Sequence, residues 1–325
     1  MSQLHFIQIE INLEREGHSF TKKRYCKPLI FSITFLSHSL VKLKAMKMII
    51  KLIASDSLGV RSMATYVETD DCKILIDPSA ALGPKRYGLP PHQKEHEMLF
   101  KKKQEISELA QKCDILTISH YHYDHYDPNE SFYKNKKIFA KDISRNINKS
   151  QTQRGKEFKE NIENICELIY CDDSAHSFGK TTINFSPAFF HGPENVRLGY
   201  VIMTTIKEKD KTFLHASDVQ GPITKDATEY IIKQNPDTLI MDGPPTIFLG
   251  WKLSQYNLTD SIKNFKKIIK KINCEVILDH HLLRDIKYKE RFQIDYEKVK
   301  TFAEYLGKEN NTLEAQRKKL WGKTK

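Results

Sequence analysis

The sequence lacks several features that identify a structural class directly: paired cysteine motifs, internal repeats and long apolar stretches. The six cysteines include no Cys-x-x-Cys pair, which excludes a zinc ribbon and argues against a disulfide framework. Internal repeats and interdomain linkers are also missing, and no apolar stretch is long and uninterrupted enough to cross a bilayer. Reduced thiols in a cytoplasmic protein fit this pattern best. Cys166 and Cys171 are close enough to suggest a metal site, but Cys113, Cys166 and Cys274 have apolar surroundings and are expected to pack in the interior.

The composition is that of a folded protein with a strong basic excess. Among the 325 residues, 39% are hydrophobic and 29% are charged, and the net charge is +11. This length allows one large domain or two smaller ones. The charge is compatible with a polyanionic partner such as nucleic acid, but lysines that solvate helix faces, as in 263–271, explain it equally well.

The first 45 residues do not share the pattern of the rest. An apolar segment at 28–41 follows the basic cluster Lys22, Lys23 and Arg24, which superficially resembles a signal peptide. It is interrupted by polar residues and shows no small-residue cleavage site, so a signal anchor is the less favoured alternative. We expect translation to begin at Met46 or Met48, with 1–45 a disordered or mis-annotated extension and 46–325 a single domain.

The most informative stretch follows a short β-branched run at 115–118. His120, His122, Asp124 and His125 form the pattern His-x-His-x-Asp-His immediately after this run. The run predicts a buried strand, and a strand that ends there delivers the next side chains to the edge of a sheet. Imidazole and carboxylate are ligands that zinc, iron and manganese accept. The pattern therefore favours a metal site over a loop of mutually hydrogen-bonded polar residues.

This stretch resembles the signature of the metallo-β-lactamase superfamily, whose four-layer αββα sandwich holds one or two metals between loops at the sheet edges. The sequence around it is similar to an uncharacterised archaeal family of metallo-β-lactamase-like hydrolases. The similarity runs from about residue 46 to near residue 307, and the matching segments are 57–62 (SLGVRS), 81–91 (ALGPKRYGLPP), 215–222 (HASDVQGP) and 279–285 (DHHLLRD).

The resemblance implies a dinuclear centre, with zinc expected and iron or manganese possible. Carried over by motif, the ligands of the first ion are His120, His122 and His191, those of the second are Asp124, His125 and His280, and Asp218 bridges the two. The resemblance also implies that Asp77 supports the site through hydrogen bonds. Each of the isolated residues has a plainer alternative: His191 as a core histidine, and Asp77 and Asp218 as turn residues.

The neighbours His280 and His281 compete for one ligand position. Side chains alternate along a strand, so we expect only one of them to face the metals, and His280 is favoured because it comes first after the strand. The Asp279-His280-His281 triplet also resembles the metal motif of the DHH phosphoesterases. Those proteins need further upstream aspartate motifs on a Rossmann-like sheet, where the cluster at 120–125 has no place.

The hydrophobic pattern predicts strands and helices in two successive groups, which fits one four-layer domain. In the first group we predict strands at 49–54, 63–68, 73–76, 115–118 and 138–140, with a helix at 93–112. In the second we predict strands at 168–171, 181–185, 188–190, 198–207, 211–215, 238–241 and 275–278, with helices at 224–234, 258–271, 295–306 and 311–320. The polar segment 141–167 is helical in tendency and is interpreted as a lid.

On the substrate side, Arg61, Lys85 and Arg86 are candidates for binding an anionic group, although solvation of the surface explains them nearly as well. Three tyrosines near the motifs are candidates for protonating a leaving group, or they simply pack around the ligands. These are Tyr87, Tyr121 and Tyr123.

The function indicated is a metal-dependent hydrolase that uses a bridging hydroxide, with Asp124 and Asp218 as catalytic carboxylates. A phosphoester substrate, either a small molecule or a nucleic acid, is slightly favoured over a thioester, lactone or lactam because of the basic residues. The fold alone cannot choose among these. A di-iron oxidoreductase of the same superfamily and a non-catalytic nucleic-acid-binding module on this fold are the alternatives. Oligomeric state is not predicted.

Overall fold

A computed structural model of the chain describes residues 48–194 and 197–323. The predicted N-terminal extension at 1–45 lies outside the described residues. Within the described part, no helix has both the length and the apolar character that crossing a membrane requires.

The first sheet contains six strands in sequential spatial order. They are β1 (Ile49–Leu52), β2 (Thr65–Glu68), β3 (Lys73–Ile76), β4 (Ile115–Ile118), β5 (Lys137–Ala140) and β6 (Glu167–Tyr170). The strands β1, β2 and β3 are antiparallel neighbours, as the sequence predicts, with a short turn between β2 and β3 and the longer segment 53–64 between β1 and β2. The strands β3 to β6 run parallel to one another.

The remaining strands are β7 (Ser174–Phe178), β8 (Thr181–Phe185), β9 (Phe189–Phe190), β10 (Tyr200–Val201), β11 (Thr204–Glu208), β12 (Lys211–His215), β13 (Thr238–Asp242), β14 (Glu275–Asp279) and β15 (Val299–Lys300). Seven of them form the second sheet in the order β15-β14-β13-β12-β11-β8-β7. Its half from β12 to β15 is parallel and its other half is antiparallel. The strands β9 and β10 form a separate two-stranded ribbon.

The α-helices are α1 (Gln93–Lys112), α2 (Lys149–Ile162), α3 (Lys225–Gln234), α4 (Gln255–Lys271), α5 (Tyr288–Arg291), α6 (Phe302–Tyr305) and α7 (Arg317–Leu320). The long helix α1 begins with a capping box, in which the His92 side chain accepts from the first turn and Glu95 bonds back to the His92 backbone. Short 3-10 helices at Asp56–Leu58 and His280–Arg284 flank the site described below.

Buried side chains on the two faces of each sheet divide the domain into four layers. In the first sheet, Leu116 and Ile138 pack with α1 and α2, whereas their strand neighbours Ile115 and Phe139 point the other way, into the second sheet. This is the alternation that a β-strand imposes. In the second sheet, Leu239 and its neighbours pack against α3 and α4. The order helix, sheet, sheet, helix is the αββα architecture that the sequence predicts.

Several predicted elements are wrong in detail. Residues 168–171 belong to the first sheet, where β6 runs parallel to β5, and β9 pairs with β10 instead of joining the second sheet. The segment predicted as one strand at 198–207 is two short strands, β10 and β11. The predicted C-terminal helices are reduced to α6 and α7, because Val299–Lys300 adds to the sheet edge beside β14.

The proposed lid at 141–167 is not a separate excursion from the core. Its helix α2 buries Phe158 and Ile162 in the same cluster as α1, and Lys141 is fully buried with its Nζ 2.6 Å from Asp172 Oδ2. A helix that contributes fully buried side chains to a core layer is part of the scaffold.

Candidate metal centre

The carboxyl ends of the parallel strands in the two sheets meet at one edge of the sandwich, which is where open α/β sheets bind ligands. Ser119, after β4, and Ser217, after β12, are joined across the two sheets by a 2.8 Å hydrogen bond from Ser217 Oγ to Ser119 Oγ. The residues that follow β3, β4, β12 and β14 are thereby brought together.

At this edge, histidines from three segments surround the Asp218 carboxylate. The Oδ2 atom of Asp218 lies within hydrogen-bonding or near-contact range of five imidazole Nε2 atoms. The distances are 3.1 Å to His191, 3.2 Å to His125, 3.4 Å to His280, 3.7 Å to His281 and 3.8 Å to His120. All these residues are buried, so the sequence predictions for His120, His125, His191, Asp218 and His280 come together in space.

Two further predicted residues complete the groups. One nitrogen or oxygen atom from each of His120, His122, His191 and Asp218 lies within 4.8 Å of the others, and Nε2 of His120 is 2.9 Å from Nδ1 of His122. The same spacing holds for Asp124, His125 and His280, which the sequence assigns to a second ion. Ligation by either group stays a prediction.

The donor atoms fit a cation because several have no other partner. Among the described residues, buried Nε2 of His125, both ring nitrogens of His191 and Oδ1 of Asp218 have no hydrogen bond. A buried polar atom without a partner costs about 1–3 kcal/mol. A divalent cation takes up lone pairs of this kind, and imidazole with carboxylate is a donor set that zinc, iron and manganese accept.

Asp77 lies where a supporting carboxylate is needed. It follows β3 directly and accepts hydrogen bonds from the backbone N–H and Oγ of Ser119, at 2.8 and 2.7 Å. Its Oδ2 is 2.9 Å from Nδ1 of His125. A carboxylate on Nδ1 fixes the ring and its tautomer, leaving the Nε2 lone pair directed at the centre.

Two equivalent carboxylates were missed by sequence reasoning. Asp56 Oδ2 is 2.8 Å from Nδ1 of His280, and Asp242 Oδ2 is 2.7 Å from Nδ1 of His281. Asp242 ends β13 just as Asp77 follows β3, so an acidic residue at the end of a buried strand was the available signal. Asp56 lies in a 3-10 turn after β1, and its sequence context gave no comparable signal.

The expectation that only one of His280 and His281 faces the site is wrong. Strand β14 ends at Asp279, and His280 starts a 3-10 helix with a left-handed backbone φ of 57°. Strand alternation therefore no longer applies, and both Nε2 atoms face Asp218. Because the pair packs beside His120 and His125 between two sheets, the DHH phosphoesterase alternative is also excluded.

The backbone is strained at several points around these side chains. Asp77, Ser217, Gln220 and His280 have φ values of 49°, 56°, 58° and 57°. Residues other than glycine rarely adopt this left-handed region, at about 1–3 kcal/mol each, and such residues cluster at functional sites. Here Asp77 and His280 directly follow β3 and β14, and Ser217 and Gln220 lie in the segment after β12, so each turns the chain near the site.

The electrostatics of the cluster divide the imidazoles into two kinds. Burial by itself would lower the pKa of His125 and of His280. The negative charges of Asp218 and of the outer carboxylates have the larger, opposite effect. The pKa of His125 is therefore well above its ordinary value, and the pKa of His280 is raised to about 9. Burial and neighbouring imidazoles lower the pKa of His120, and they lower that of His122 to about 3. A cation bound at Nε2 of His125 or His280 would displace a proton.

Both predicted catalytic carboxylates are ionised at neutral pH. Burial alone would raise the pKa of Asp124, yet His125, His280 and Arg284 bring it below its usual range. The pKa of Asp218 is likewise held well below its ordinary value, against burial, by His125, His280 and His281.

A cavity of about 500 Å³ opens beside the cluster. Its wall includes His122, Asp124, His191, Asp218 and His281, together with apolar and cationic residues. The apolar and aromatic part comprises Ala81, Leu82, Pro84, Tyr123, Pro193, Leu198, Pro245 and Phe248, and the cationic part comprises Arg61, Arg154, Lys252 and Arg284.

The three predicted anion-binding residues have different positions. Arg61 lines the cavity, but its Nε and Nη2 donate to Glu314 at 2.6 Å each. Arg86 is buried and donates to the same carboxylate at 2.9 and 2.6 Å. Lys85 is exposed and does not line the cavity. Arg86 is thus held in a buried ion pair and Lys85 lies outside the cavity wall, whereas a substrate contact by any of the three stays a prediction.

Other cations line the cavity instead, and sequence reasoning missed them. Arg154 projects from α2 with its guanidinium 4.8 Å from the centre of the Tyr123 ring, and Lys252 lies 4.4 Å from the Trp251 ring. Within the described part of the chain, neither has an acidic partner within ion-pair distance. Arg284 is buried between Asp56 and Asp124. No local sequence pattern marks these residues.

Only one of the three tyrosines is placed to reach a ligand in the cavity. Tyr123 lines the cavity with 47% of its surface exposed. Tyr121 is fully buried and donates to the carbonyl of Lys141 at 2.6 Å, and Tyr87 donates to the carbonyl of Ala315 at 3.2 Å. The packing alternative therefore holds for Tyr87 and Tyr121.

No family model matches the chain, but it is similar to several archaeal proteins over most of its length. The UPF0282 protein of Methanocaldococcus jannaschii is 45% identical over 281 residues, which cover 82% of this chain and 94% of that protein. The Methanopyrus kandleri protein of the same name is 41% identical, with 82% and 97% covered. The chain belongs to the archaeal UPF0282 family. The predicted relation to an uncharacterised archaeal family is thereby confirmed.

Solved structures with similar folds are much more distant from this UPF0282 protein. The metallo-β-lactamase fold protein YhfI of Bacillus subtilis is 17% identical, with a TM-score of 0.44 and coverage of 79% of this chain and 97% of that one. Zinc-bound PqqB of Methylobacterium extorquens is 10% identical, with a TM-score of 0.49 and coverage of 78% and 96%. Similarity at this level transfers no activity. The four-layer αββα architecture predicted for this UPF0282 protein is confirmed by its own two sheets and their flanking helices.

Proposed function

We propose that this UPF0282 protein is a metal-dependent hydrolase with a dinuclear centre, acting on a small anionic substrate, for which a phosphoester is favoured. One observation supports the metal centre above all others. Five imidazole Nε2 atoms lie within 3.8 Å of a single buried carboxylate oxygen of Asp218. Two of these atoms, Nε2 of His125 and Nε2 of His191, have no hydrogen bond among the described residues, and a bound cation would satisfy such buried lone pairs.

In this proposal His120, His122 and His191 hold the first ion, and Asp218 contributes to both positions. The second ion is held by Asp124, His125 and His280. His281, whose Nε2 also faces Asp218, is a further candidate ligand. Zinc is the proposed metal, and iron or manganese would suit the same donors. When bound, such ions supply a nucleophile at neutral pH by lowering the pKa of a coordinated water from ~15.7 toward ~7.

The protein side chains around the centre have complementary roles. Asp124 lines the cavity and remains ionised, so its free oxygen can accept a proton from an attacking water. Tyr123 is the tyrosine available to donate to a leaving group. The outer carboxylates Asp56, Asp77 and Asp242 hold three imidazoles in one orientation.

The cavity favours a small anionic molecule over a nucleic acid chain. Its volume of about 500 Å³ is in the range of small-molecule sites, roughly 300–1,000 Å³. Arg154 and Lys252 present positive charge to it, and an apolar wall at Leu82 and Phe248 suits an organic substituent. A phosphoester combines these features, whereas a neutral lactone or thioester would leave the cations unused. A reducing cytoplasmic setting, as the cysteines suggest, is part of this proposal.

The decisive experiment is to purify the full chain without added chelator, quantify its metals, and screen phosphodiester, phosphomonoester, thioester and lactone substrates. We expect bound transition metal and turnover of a phosphoester, both lost in Asp218→Asn. Asp210→Asn, an exposed residue of the β11–β12 turn, is the matched control and should behave as the unmodified protein. Bound iron with visible absorbance and no hydrolysis would favour the oxidoreductase alternative, and a metal-free preparation would overturn the proposal.

A further inference from the structure

Arg284 distinguishes the two halves of the candidate metal centre. It ends the 3-10 helix that starts at His280, and it is 5% exposed. Its Nη2 lies 3.4 Å from Oδ2 of Asp124 and 3.1 Å from Nε2 of His280. The guanidinium therefore contacts two of the three side chains assigned to the second ion.

The position of this guanidinium is fixed by a buried acid. Nε of Arg284 donates to Oδ1 of Asp56 at 3.1 Å, while Oδ2 of Asp56 is 2.8 Å from Nδ1 of His280. Asp56 is also buried. Arginine stays protonated in proteins, so a permanent positive charge is held at this place, and it is shared between Asp56 and Asp124.

The other half of the centre has no comparable charge. In residues 48–194 and 197–323, no lysine or arginine lies within ion-pair distance of Asp218, and the side chains found within that distance are imidazoles. Nδ1 of His120 is hydrogen-bonded to Oγ of Ser119 at 3.0 Å, and Nε2 of His120 is hydrogen-bonded to Nδ1 of His122 at 2.9 Å. The position formed by His120, His122, His191 and Asp218 thus offers three imidazoles and one carboxylate to a cation, without a guanidinium or ammonium group in contact among the described residues.

We propose that Arg284 makes the two metal positions unequal: the first binds an ion firmly, and the second is weakened by the adjacent guanidinium. This inference rests on the proposed metal centre, and it adds the order in which the two positions bind metal ions. The guanidinium repels a divalent cation at short range, and it occupies an oxygen of Asp124 that the cation would otherwise use. The protein consequently holds one ion tightly and exchanges the second.

The test is the metal affinity of the full chain with and without this charge. In a chelator-competition titration with Co²⁺, followed by the cobalt absorption and by elemental analysis after gel filtration, the unmodified protein should bind a first ion much more tightly than a second. Arg284→Met should tighten the second position by at least about tenfold, since it removes one adjacent positive charge. Arg284→Lys, which retains a charge, should stay close to the unmodified protein.

Arg154→Met is the matched control, because Arg154 lines the same cavity but contacts Tyr121 and Tyr123 instead of the ligand side chains. It should leave both affinities unchanged. Two equally tight ions in the unmodified protein would overturn the inference even if Arg284→Met did not fold, and so would an unaltered second affinity in a folded Arg284→Met. A protein that binds no cobalt at all would instead remove the proposed metal centre itself, which distinguishes the two failures.

Discussion

Nδ1 of His281 lies 2.7 Å from Oδ2 of Asp242, and both side chains are buried. Oδ1 of Asp242 accepts the backbone N–H of Gln220 at 2.7 Å, so the carboxylate is itself held in place. The imidazole consequently presents Nε2 to Asp218. Nearby, Asp77 and His125 form the same kind of pair, so the ring orientation is set by carboxylates outside the ligand groups.

Asp242→Asn should lower the affinity for metal by about 10–100-fold, the usual effect of losing an outer partner of a ligating histidine. An asparagine amide can donate to Nδ1 of His281, which moves the ring proton to Nε2 and removes the lone pair that faces the centre. Chelator competition with Zn²⁺ measures the change. The exposed Asp210→Asn should show none, and equal affinities in both variants would refute an orienting role for Asp242.

The cations that line the cavity should determine affinity for an anionic substrate. Arg154→Met and Lys252→Met should each raise KM by roughly tenfold, with a smaller effect on kcat, because each removes a charge that faces the bound anion without touching the candidate ligands. The effect should weaken at high salt. Steady-state kinetics on the phosphoester found in the screen measures this.

Lys85→Met provides the control, since Lys85 is exposed and lies outside the cavity wall. We expect its kinetic constants to match those of the unmodified protein. A rise in KM for Lys85→Met equal to that for Arg154→Met would show that the net charge of the surface, and not the cavity, attracts the substrate.

The parts of the fold and site that depend on local pattern could be predicted from the sequence. Strand 115–118 is short, apolar and β-branched, and the histidines directly after it had to lie at a sheet edge. The helix at 93–112 was predicted with its observed bounds, since its apolar positions repeat with helical spacing. Residues that follow strands, such as Asp218, were found for the same reason.

What could not be predicted depends on pairing between distant segments. Arg86 looked like a free surface cation because its partner Glu314 is 228 positions away in the sequence. Arg154 looked like one more charge on a polar helix, and only the packing of α2 brings it to the cavity. The orientation of His281 depended on the chain leaving strand geometry at His280, where the backbone φ is 57° and a 3-10 helix begins, so the strand alternation used for the prediction did not apply.

Metal should stabilise the folded protein measurably. A ligand at about 100 times its dissociation constant adds about 2.7 kcal/mol to the free energy of unfolding, so adding Zn²⁺ to chelator-treated protein should raise Tm by roughly 5 °C. His191→Ala should abolish most of this rise, because both its ring nitrogens are buried without a partner. His96→Ala, on the exposed side of α1, is the matched control and should keep the full rise. Thermal unfolding followed by circular dichroism gives the comparison, and a rise that persists in His191→Ala would remove this residue from the ligand set.

The ion pairs of Glu314 predict an acid-dependent loss of stability. Burial alone would raise the pKa of Glu314, but Arg61, Arg284 and Arg86 hold it below its usual range, and the carboxylate bonds directly to Arg61 and Arg86. Because the folded pKa is depressed, this stabilisation is complete above the unfolded value of 4.5 and is lost as the pH falls below it. Glu314→Gln should therefore be about 3–5 kcal/mol less stable at pH 7, where it leaves the buried Arg86 and the partly exposed Arg61 without their charge partner. The difference from the unmodified protein should shrink as the pH is lowered toward 3, because only the unmodified protein has this carboxylate to protonate.

Urea unfolding at pH 7, 5, 4 and 3 measures the difference in the free energy of unfolding directly. A difference that stays constant over this range would show that the Glu314 carboxylate does not contribute through its charge.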